Sequence, residues 1–305
     1  MNDMKKVFLI IFLFSGLISM AQTADTIKNW KIVNKISLNF TQSYFSNWSA
    51  GGENTLATTG KYSVIANYKK EKHKWDNWLG LGLGYSLIGD SDPMKTDDKI
   101  ELISSYGYKF HSKLYATILL TFKSQFAKGY DYKVDSTNYI SKFMAPGTID
   151  IGPGIEWKPN DYFSINFSPA TAKWLIVNDQ VLADLGSFGL DPAEVDTAGV
   201  IITHAKKVKT MFGAKALILF KYEIFKNVNF NTKLELFSDY LDNPQNIDVN
   251  WQVAITLKVN SWLNVNINTE LIYDDNTIFH DVKGDPIGPR TQFNENMQLG
   301  LVVTF

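Results

Sequence analysis

The chain has 305 residues, with 30 basic and 31 acidic side chains, a formal net charge of −1 at pH 7 and no cysteine. Disulfides and thiolate metal sites are thereby excluded, and a chain so close to neutral offers no basic surface for nucleic acid, which is not an expected partner. Aromatic residues supply 14% of the chain, and that excess directs attention to strands.

The N-terminus has three parts: Lys5 and Lys6, an apolar run from Val7 to Met20, and Ser19-Met20-Ala21 before Gln22. This is the plan of a secretory signal peptide, so residues 1–21 are read as the signal, cleaved after Ala21. The apolar run falls short of the roughly 20 residues a spanning helix needs. With no Cys after the cleavage point, a lipoprotein is excluded. Residues 22–32 are read as a short periplasmic segment and 33–305 as one barrel.

From there on, alternation with a period of two dominates, in segments of about the 9 to 11 residues that a tilted strand needs to cross a bilayer. Strands are predicted at 33–46, 55–69, 75–88, 98–110, 113–127, 147–157, 161–176, 204–223, 227–240, 246–259, 261–274 and 292–305. Twelve is an even number, as single-chain bacterial barrels require, with 10 to 14 as the range. The segment at 247–259 has the clearest pattern: Ile247, Val249, Trp251, Val253, Ile255, Leu257 and Val259 share one face, and Asp248, Asn250, Gln252, Ala254, Thr256 and Lys258 share the other.

Short connections near 70–74, 111–112, 158–160, 224–226 and 260 alternate with mostly longer ones at 47–54, 89–97, 128–146, 177–203, 241–245 and 275–291. Outer-membrane barrels sort short periplasmic turns from long external loops in this way, which puts both termini on the periplasmic side. Two aromatic girdles are expected, because Trp and Tyr favour the membrane interfaces. One holds Trp75, Trp78, Phe110, Trp157, Tyr162, Tyr222, Phe225, Trp262 and Phe305 beside the short turns; the other holds Tyr44, Tyr85, Phe126, Trp174, Tyr240, Tyr273 and Phe293 near the long loops. The fold class is therefore all-β, a closed antiparallel transmembrane barrel.

A signal peptide, a last strand ending on Phe305 and this loop sorting resemble Gram-negative outer-membrane barrels in general. The resemblance implies that Phe305 is an assembly signal read by the barrel-assembly machinery during insertion. The first loop, Phe45-Ser46-Asn47-Trp48-Ser49-Ala50-Gly51-Gly52-Glu53-Asn54, resembles the signature of an uncharacterised outer-membrane family known only as a domain of unknown function. So does the stretch from Ile176 through Asn178-Asp179-Gln180 to Phe188-Gly189. That likeness, over about Lys31 to Phe305, implies a barrel and carries over no catalytic or ligand residue.

The polar strand faces carry Lys61, Glu101, Lys109, Lys123, Asp150, Glu156, Lys215, Lys221, Lys233, Glu235, Asp248, Lys258 and Glu270, all expected to point into the lumen. Of these, Lys215, Lys221, Lys233, Glu235, Asp248, Lys258 and Glu270 are singled out as lumen lining. Either they line a water-filled pore and tune its selectivity, or opposite charges pair across the lumen and fill it. The basic set Lys206, Lys207, Lys209, Lys215 and Lys221 either draws anionic solutes to the mouth or pairs with carboxylates and lipopolysaccharide phosphates. Asp191-Pro192-Ala193-Glu194 has the pattern of a helix start, which would fold over the mouth or meet a protein partner.

Acidic loop residues Asp90, Asp92, Asp97 and Asp98, and Asp274, Asp275, Asp281 and Asp285, lack EF-hand spacing, and no metal or cofactor is expected. None of His73, His111, His204 and His280 has a Ser partner at a suggestive spacing, and no G-x-S-x-G elbow occurs; no enzyme is expected. Two functions follow: a porin-like channel for small solutes, or a non-conducting structural or accessory subunit of an envelope complex. Expected partners are outer-membrane lipid and lipopolysaccharide, with proteins at the external loops.

Overall fold

The computed structural model describes residues 29–46, 52–132, 135–280 and 286–305. The signal peptide, most of the 22–32 segment, Asn47 to Gly51 of the loop signature, and Asp281 and Asp285 lie outside those residues. Twelve strands form the wall: β1 (Trp30–Ser43), β2 (Thr55–Lys70), β3 (His73–Ile88), β4 (Met94–His111), β5 (Leu114–Ser124), β6 (Gly147–Trp157), β7 (Phe163–Ile176), β8 (Val208–Phe225), β9 (Val228–Asp239), β10 (Asp248–Lys258), β11 (Leu263–Tyr273) and β12 (Gln292–Thr304). Each pairs antiparallel with the next in the chain, and β12 closes on β1 from Lys35↔Thr304 to Phe40↔Leu299. β1 starts at Trp30 rather than at 33, because Trp30, Lys31 and Ile32 still pair with Tyr68, Asn67 and Ala66.

Local chemistry sets the short ends. Glu71 and Asn227 adopt positive φ (54° and 65°) in the β2–β3 and β8–β9 turns. In the β6–β7 turn the side-chain oxygen of Asn160 accepts the N–H groups of Tyr162 and Phe163 at 3.2 and 2.9 Å. Asn260 repeats this in the β10–β11 turn, with Trp262 and Leu263 at 2.9 and 2.8 Å. An Asn two residues before an aromatic and three before an apolar residue is thus one turn device used twice.

The register sorts the side chains. Ile255, Trp251 and Leu257 face outward opposite Ile267, Leu271 and Val265, while Gln252 and Glu270 pair on the inner face. Outward apolar side chains such as Ile118, Ile155, Phe167, Trp251 and Met297 are exposed, whereas inward Asn39, Thr59, Glu101, Thr121 and Lys215 are buried. The molecule is apolar outside and polar inside. Around the turn end runs an aromatic rim in which Trp30 contacts Tyr68 and Trp75, and Tyr162 contacts Phe220 and Tyr222.

Trp78, expected in that girdle, instead faces inward. It packs on Ile103, Leu119 and Leu217. It sits on the inner parity of β3, beside a glycine whose missing side chain leaves room for the ring: a Cβ on Gly80 would lie 2.4 Å from the indole.

The helix expected at Asp191 is absent. Glu194–Val195 instead pairs as a short strand with Ile201–Thr203, and helix α1 (Gln180–Asp184) forms earlier, with Asp179 as its N-cap. Only the earlier segment buries apolar residues; Val195, Val200, Ile201 and Ile202 of the later one are exposed. Leu182 and Ala183, with Val177 and Leu190, pack on Leu175, Met211 and Phe237, the inward residues at the loop ends of β7, β8 and β9. The loop between β7 and β8 therefore folds into the mouth as a cap.

Candidate functional site: the barrel interior

Charged side chains cross the lumen in one layer at mid-height. Glu101 on β4 is fully buried (0% exposed) and pairs with Lys233 on β9, a strand five places away around a barrel of twelve. Lys99 holds its other oxygen at 3.1 Å and reaches Glu270 of β11 at 3.9 Å. Lys123 of β5 meets Glu235 of β9 at 2.8 Å. Lys215, 3% exposed, lies 2.5 Å from Asp150 and 3.1 Å from Glu235. It also donates to the Thr121 hydroxyl, which donates to Asp150, both at 2.8 Å. Four lysines thus neutralise four carboxylates contributed by six different strands. The Trp78 ring completes the layer, with the Lys233 ammonium 5.5 Å from its centroid.

Two further tiers flank this one. Towards the loops, Lys173 meets Asp248 at 3.1 Å and lies over the Phe237 ring, and Lys61 meets Asp97 at 3.4 Å. Towards the turns, Lys74 pairs with Glu156 and Asp76, and Lys158 with Asp76.

Above the interior, the cap is tied down by Asp179. Its carboxylate accepts from the Leu182 N–H at 3.0 Å, from the Tyr139 hydroxyl at 2.7 Å and from Lys142 at 2.5 Å. Burial pushes this carboxyl upward, but the hydrogen bonds from Lys142, Leu182 and Tyr139 outweigh that and hold it well below the usual carboxylate range.

The residues singled out from sequence fall into three groups. Lys215, Lys233 and Glu235 meet in the central layer, with Glu270 at its margin, where it also accepts from Gln252 at 2.7 Å. Asp248 belongs to the tier nearer the loops. Lys221 and Lys258 face the turn-end half of the interior and take no part in any ion pair among the described residues. Phe305 closes the barrel edge, exchanging backbone hydrogen bonds with Asn34 at 2.7 and 3.0 Å. In the basic set, Lys206 and Lys207 precede β8, and Lys209 donates to the Gly189 carbonyl at 3.3 Å.

Sequence reasoning missed Lys35, Lys99, Lys173 and the inward Trp78. Lys173 was hidden by a bulge, since the β7–β8 register shifts between Lys215↔Ser168 and Gly213↔Thr171 and inner parity changes from even to odd. A signal for the filled interior was present in Trp78-Leu-Gly80-Leu-Gly82-Leu-Gly84. Every inward position after the Trp is glycine, and these glycines stand opposite Glu101, Lys99 and Asp97. A bare inner face on one strand makes room for long charged side chains on its neighbour.

Of the acidic residues read as loop ligands, Asp98 accepts the N–H groups of Phe126 and Ala127 and pairs with Lys95 at 2.8 Å. Among the described residues no cluster of three or more His, Asp and Glu is arranged to hold a metal. His111 lies 3.2 Å from the neighbouring Ser112 hydroxyl on an exposed turn, His73 contacts the Tyr106 hydroxyl and His204 contacts Asp184.

A closed, up-and-down antiparallel barrel with a polar, ion-paired interior and an apolar exterior is the class these features define. Residues 40–130 match the model of a family described as a protein of unknown function (DUF3078), an uncharacterised family of the kind the first-loop signature resembles. No curated protein matches the chain. Among solved structures, the NanC porin is similar over 88% of this chain and 98% of its own, at 8% identity and a TM-score of 0.36. The translocator domain of the autotransporter NalP from Neisseria meningitidis covers 99% and 98%, at 9% identity and a TM-score of 0.33. The transport unit of the autotransporter AIDA-I from Escherichia coli covers 95% and 96%, at 10% identity and a TM-score of 0.31. These likenesses extend to barrel architecture alone; closure rests on the strand pairing itself.

Proposed function

We propose that this protein is an outer-membrane barrel that does not conduct, serving as a structural or accessory subunit of an envelope assembly. Lipid is the medium that suits a wall with apolar side chains outward and every strand paired on both sides, because a spanning sheet must satisfy its backbone internally and leave no edge. In this reading residues 1–21 direct export, the short turns face the periplasm, and Phe305 is presented to the assembly machinery. Lipopolysaccharide and protein partners meet the long loops. The chain carries out no catalysis.

One observation carries the non-conducting part: the buried Glu101 carboxylate is joined across the lumen to Lys233. Opening a path for hydrated ions requires separating such pairs, and stranding one buried charge costs about 3–5 kcal/mol. The decisive experiment is single-channel recording of the full-length protein in planar bilayers. Silence at neutral pH, with folding verified on the same preparation, is expected. Stable conductance steps would overturn the sealed barrel and favour a porin-like channel.

A further inference from the structure

Lys35, Lys221 and Lys258 are inward lysines that take part in no ion pair among the described residues. Lys35 sits on β1 opposite Ser63 and Thr304, Lys221 on β8 opposite Asn231, and Lys258 on β10 opposite Asn264. All lie in the turn-end half of the barrel, below the central layer. Lys221 and Lys258 are exposed to solvent and Lys35 is half-buried. Around the ring Lys35 is three strands from Lys258 and five from Lys221, and Lys61, opposite Ser37, is neutralised by Asp97. The ion-paired tiers, including the Lys74, Lys158, Asp76 and Glu156 tier of this same half, balance lysine against carboxylate, and Glu223, two residues beyond Lys221, accepts the Asn227 N–H at 2.9 Å, so the unpaired positive charge of the interior collects here.

A second observation points the same way. The side-chain nitrogen of Asn229 is buried without a hydrogen-bond partner. Asn229 shares the inner face of β9 with Asn231, one inward position closer to the turns. An unsatisfied buried donor costs about 1–3 kcal/mol, and an incoming acceptor removes that cost. A concave wall on which one sign of charge predominates also concentrates ions of the other sign.

We propose that the turn-end half of the lumen is a blind cationic vestibule that binds a small soluble polyanion bearing phosphate or carboxylate groups, held by Lys35, Lys221 and Lys258. Three ammonium groups call for a multiply charged ligand, because a monoanion leaves most of the repulsion in place. The sealed layer above makes the ligand enter and leave through the turn end, and in that respect alone the inference rests on the non-conducting reading. Lipid headgroups are not candidates, since the wall separates these lysines from the outer surface.

The test uses the full chain folded in an uncharged detergent and titrated calorimetrically with sodium tripolyphosphate. Binding near one equivalent is expected, weakening with added salt. Each Lys→Gln substitution at 35, 221 or 258 should lower affinity about tenfold, and the triple variant should not bind. The double variant K206Q/K207Q, altered in the loop before β8, should bind like the parent. Because the three lysines repel one another, the unliganded triple variant should melt no lower than the parent. Tripolyphosphate should raise the melting temperature of the parent and leave that of the triple variant unmoved. Absence of binding by the parent, equal affinity in the triple variant, or a triple variant less stable than the parent would each overturn the proposal. Conductance recorded on the same preparation tests the sealed layer separately, since a conducting barrel could still bind tripolyphosphate.

Discussion

Replacing Glu101 by Gln removes one negative charge from the middle of the barrel while keeping the shape of the side chain. Lys233 then loses its main partner and Lys99 loses a carboxylate oxygen at 3.1 Å, while Lys123 stands 4.0 Å from the same group. Glu101 is 0% exposed, so water does not replace what is lost, and stranding a buried charge costs about 3–5 kcal/mol. The converse change, Lys233→Met, should be milder, because Glu101 keeps Lys99. In the double variant E101Q/K233M the two penalties should not add; a coupling of about 0.5–3 kcal/mol is expected for residues in one network. Urea unfolding in lipid vesicles, followed by tryptophan fluorescence, measures all three. A Glu101→Gln penalty below about 1 kcal/mol, the value of a solvent-exposed pair, would mean that water fills the lumen, and the sealed layer would have to be abandoned.

Other expected outcomes reach the wall, the core and the cap. Ile255→Arg, on the lipid face opposite Ile267, should destabilise by about 2–4 kcal/mol; Thr256→Arg, facing the interior, should cost much less, and equal penalties in the same vesicle assay would mean the faces are misassigned. Trp78→Ala should cost about 3–5 kcal/mol, whereas the same change at a rim residue such as Trp262 should cost far less if only Trp78 is part of a packed interior. Gly213→Ala would put a Cβ 1.8 Å from the Ser238 carbonyl oxygen, and overpacking of that kind costs about 1–3 kcal/mol; an unchanged unfolding midpoint would rule out the close approach. Asp179 is depressed in the folded state, so its contribution to the cap is complete above the ordinary aspartate value near 3.9 and is lost as the pH falls through and below it. The protection of the Leu182 amide against hydrogen exchange, taken relative to its intrinsic rate at the same pH, should therefore fall on acidification, and Asp179→Asn should abolish that fall.

Much of the barrel is legible in the sequence, and particular residues show why. A strand's side chains alternate regardless of what lies across the barrel, so Asp248 to Lys258 can be assigned to faces from that segment alone. The turn devices at Asn160 and Asn260 are equally local. Alternation misleads where the chain breaks its own period, as at the bulge before Lys173, and where an aromatic residue has two uses, as at Trp78. The helix start at Asp191 matches a capping pattern, but Val195, Val200, Ile201 and Ile202 after it stay exposed, and the cap forms instead at Asp179, where Leu182 and Ala183 are buried.

Composition and periodicity by themselves determined a closed sheet with a charged interior and an apolar exterior, because both follow from interactions along the strand and between neighbours. Only the tertiary structure decided which charges meet. Lys233 and Glu101 are 132 residues apart and come together because twelve staggered strands close into a ring narrow enough for two side chains to span it. The same closure leaves Lys35, Lys221 and Lys258 on the turn-end half of the inner wall with no ion-pair partner among the described residues. Such cross-lumen partners depend on the stagger of the whole ring, a global quantity that no single segment encodes.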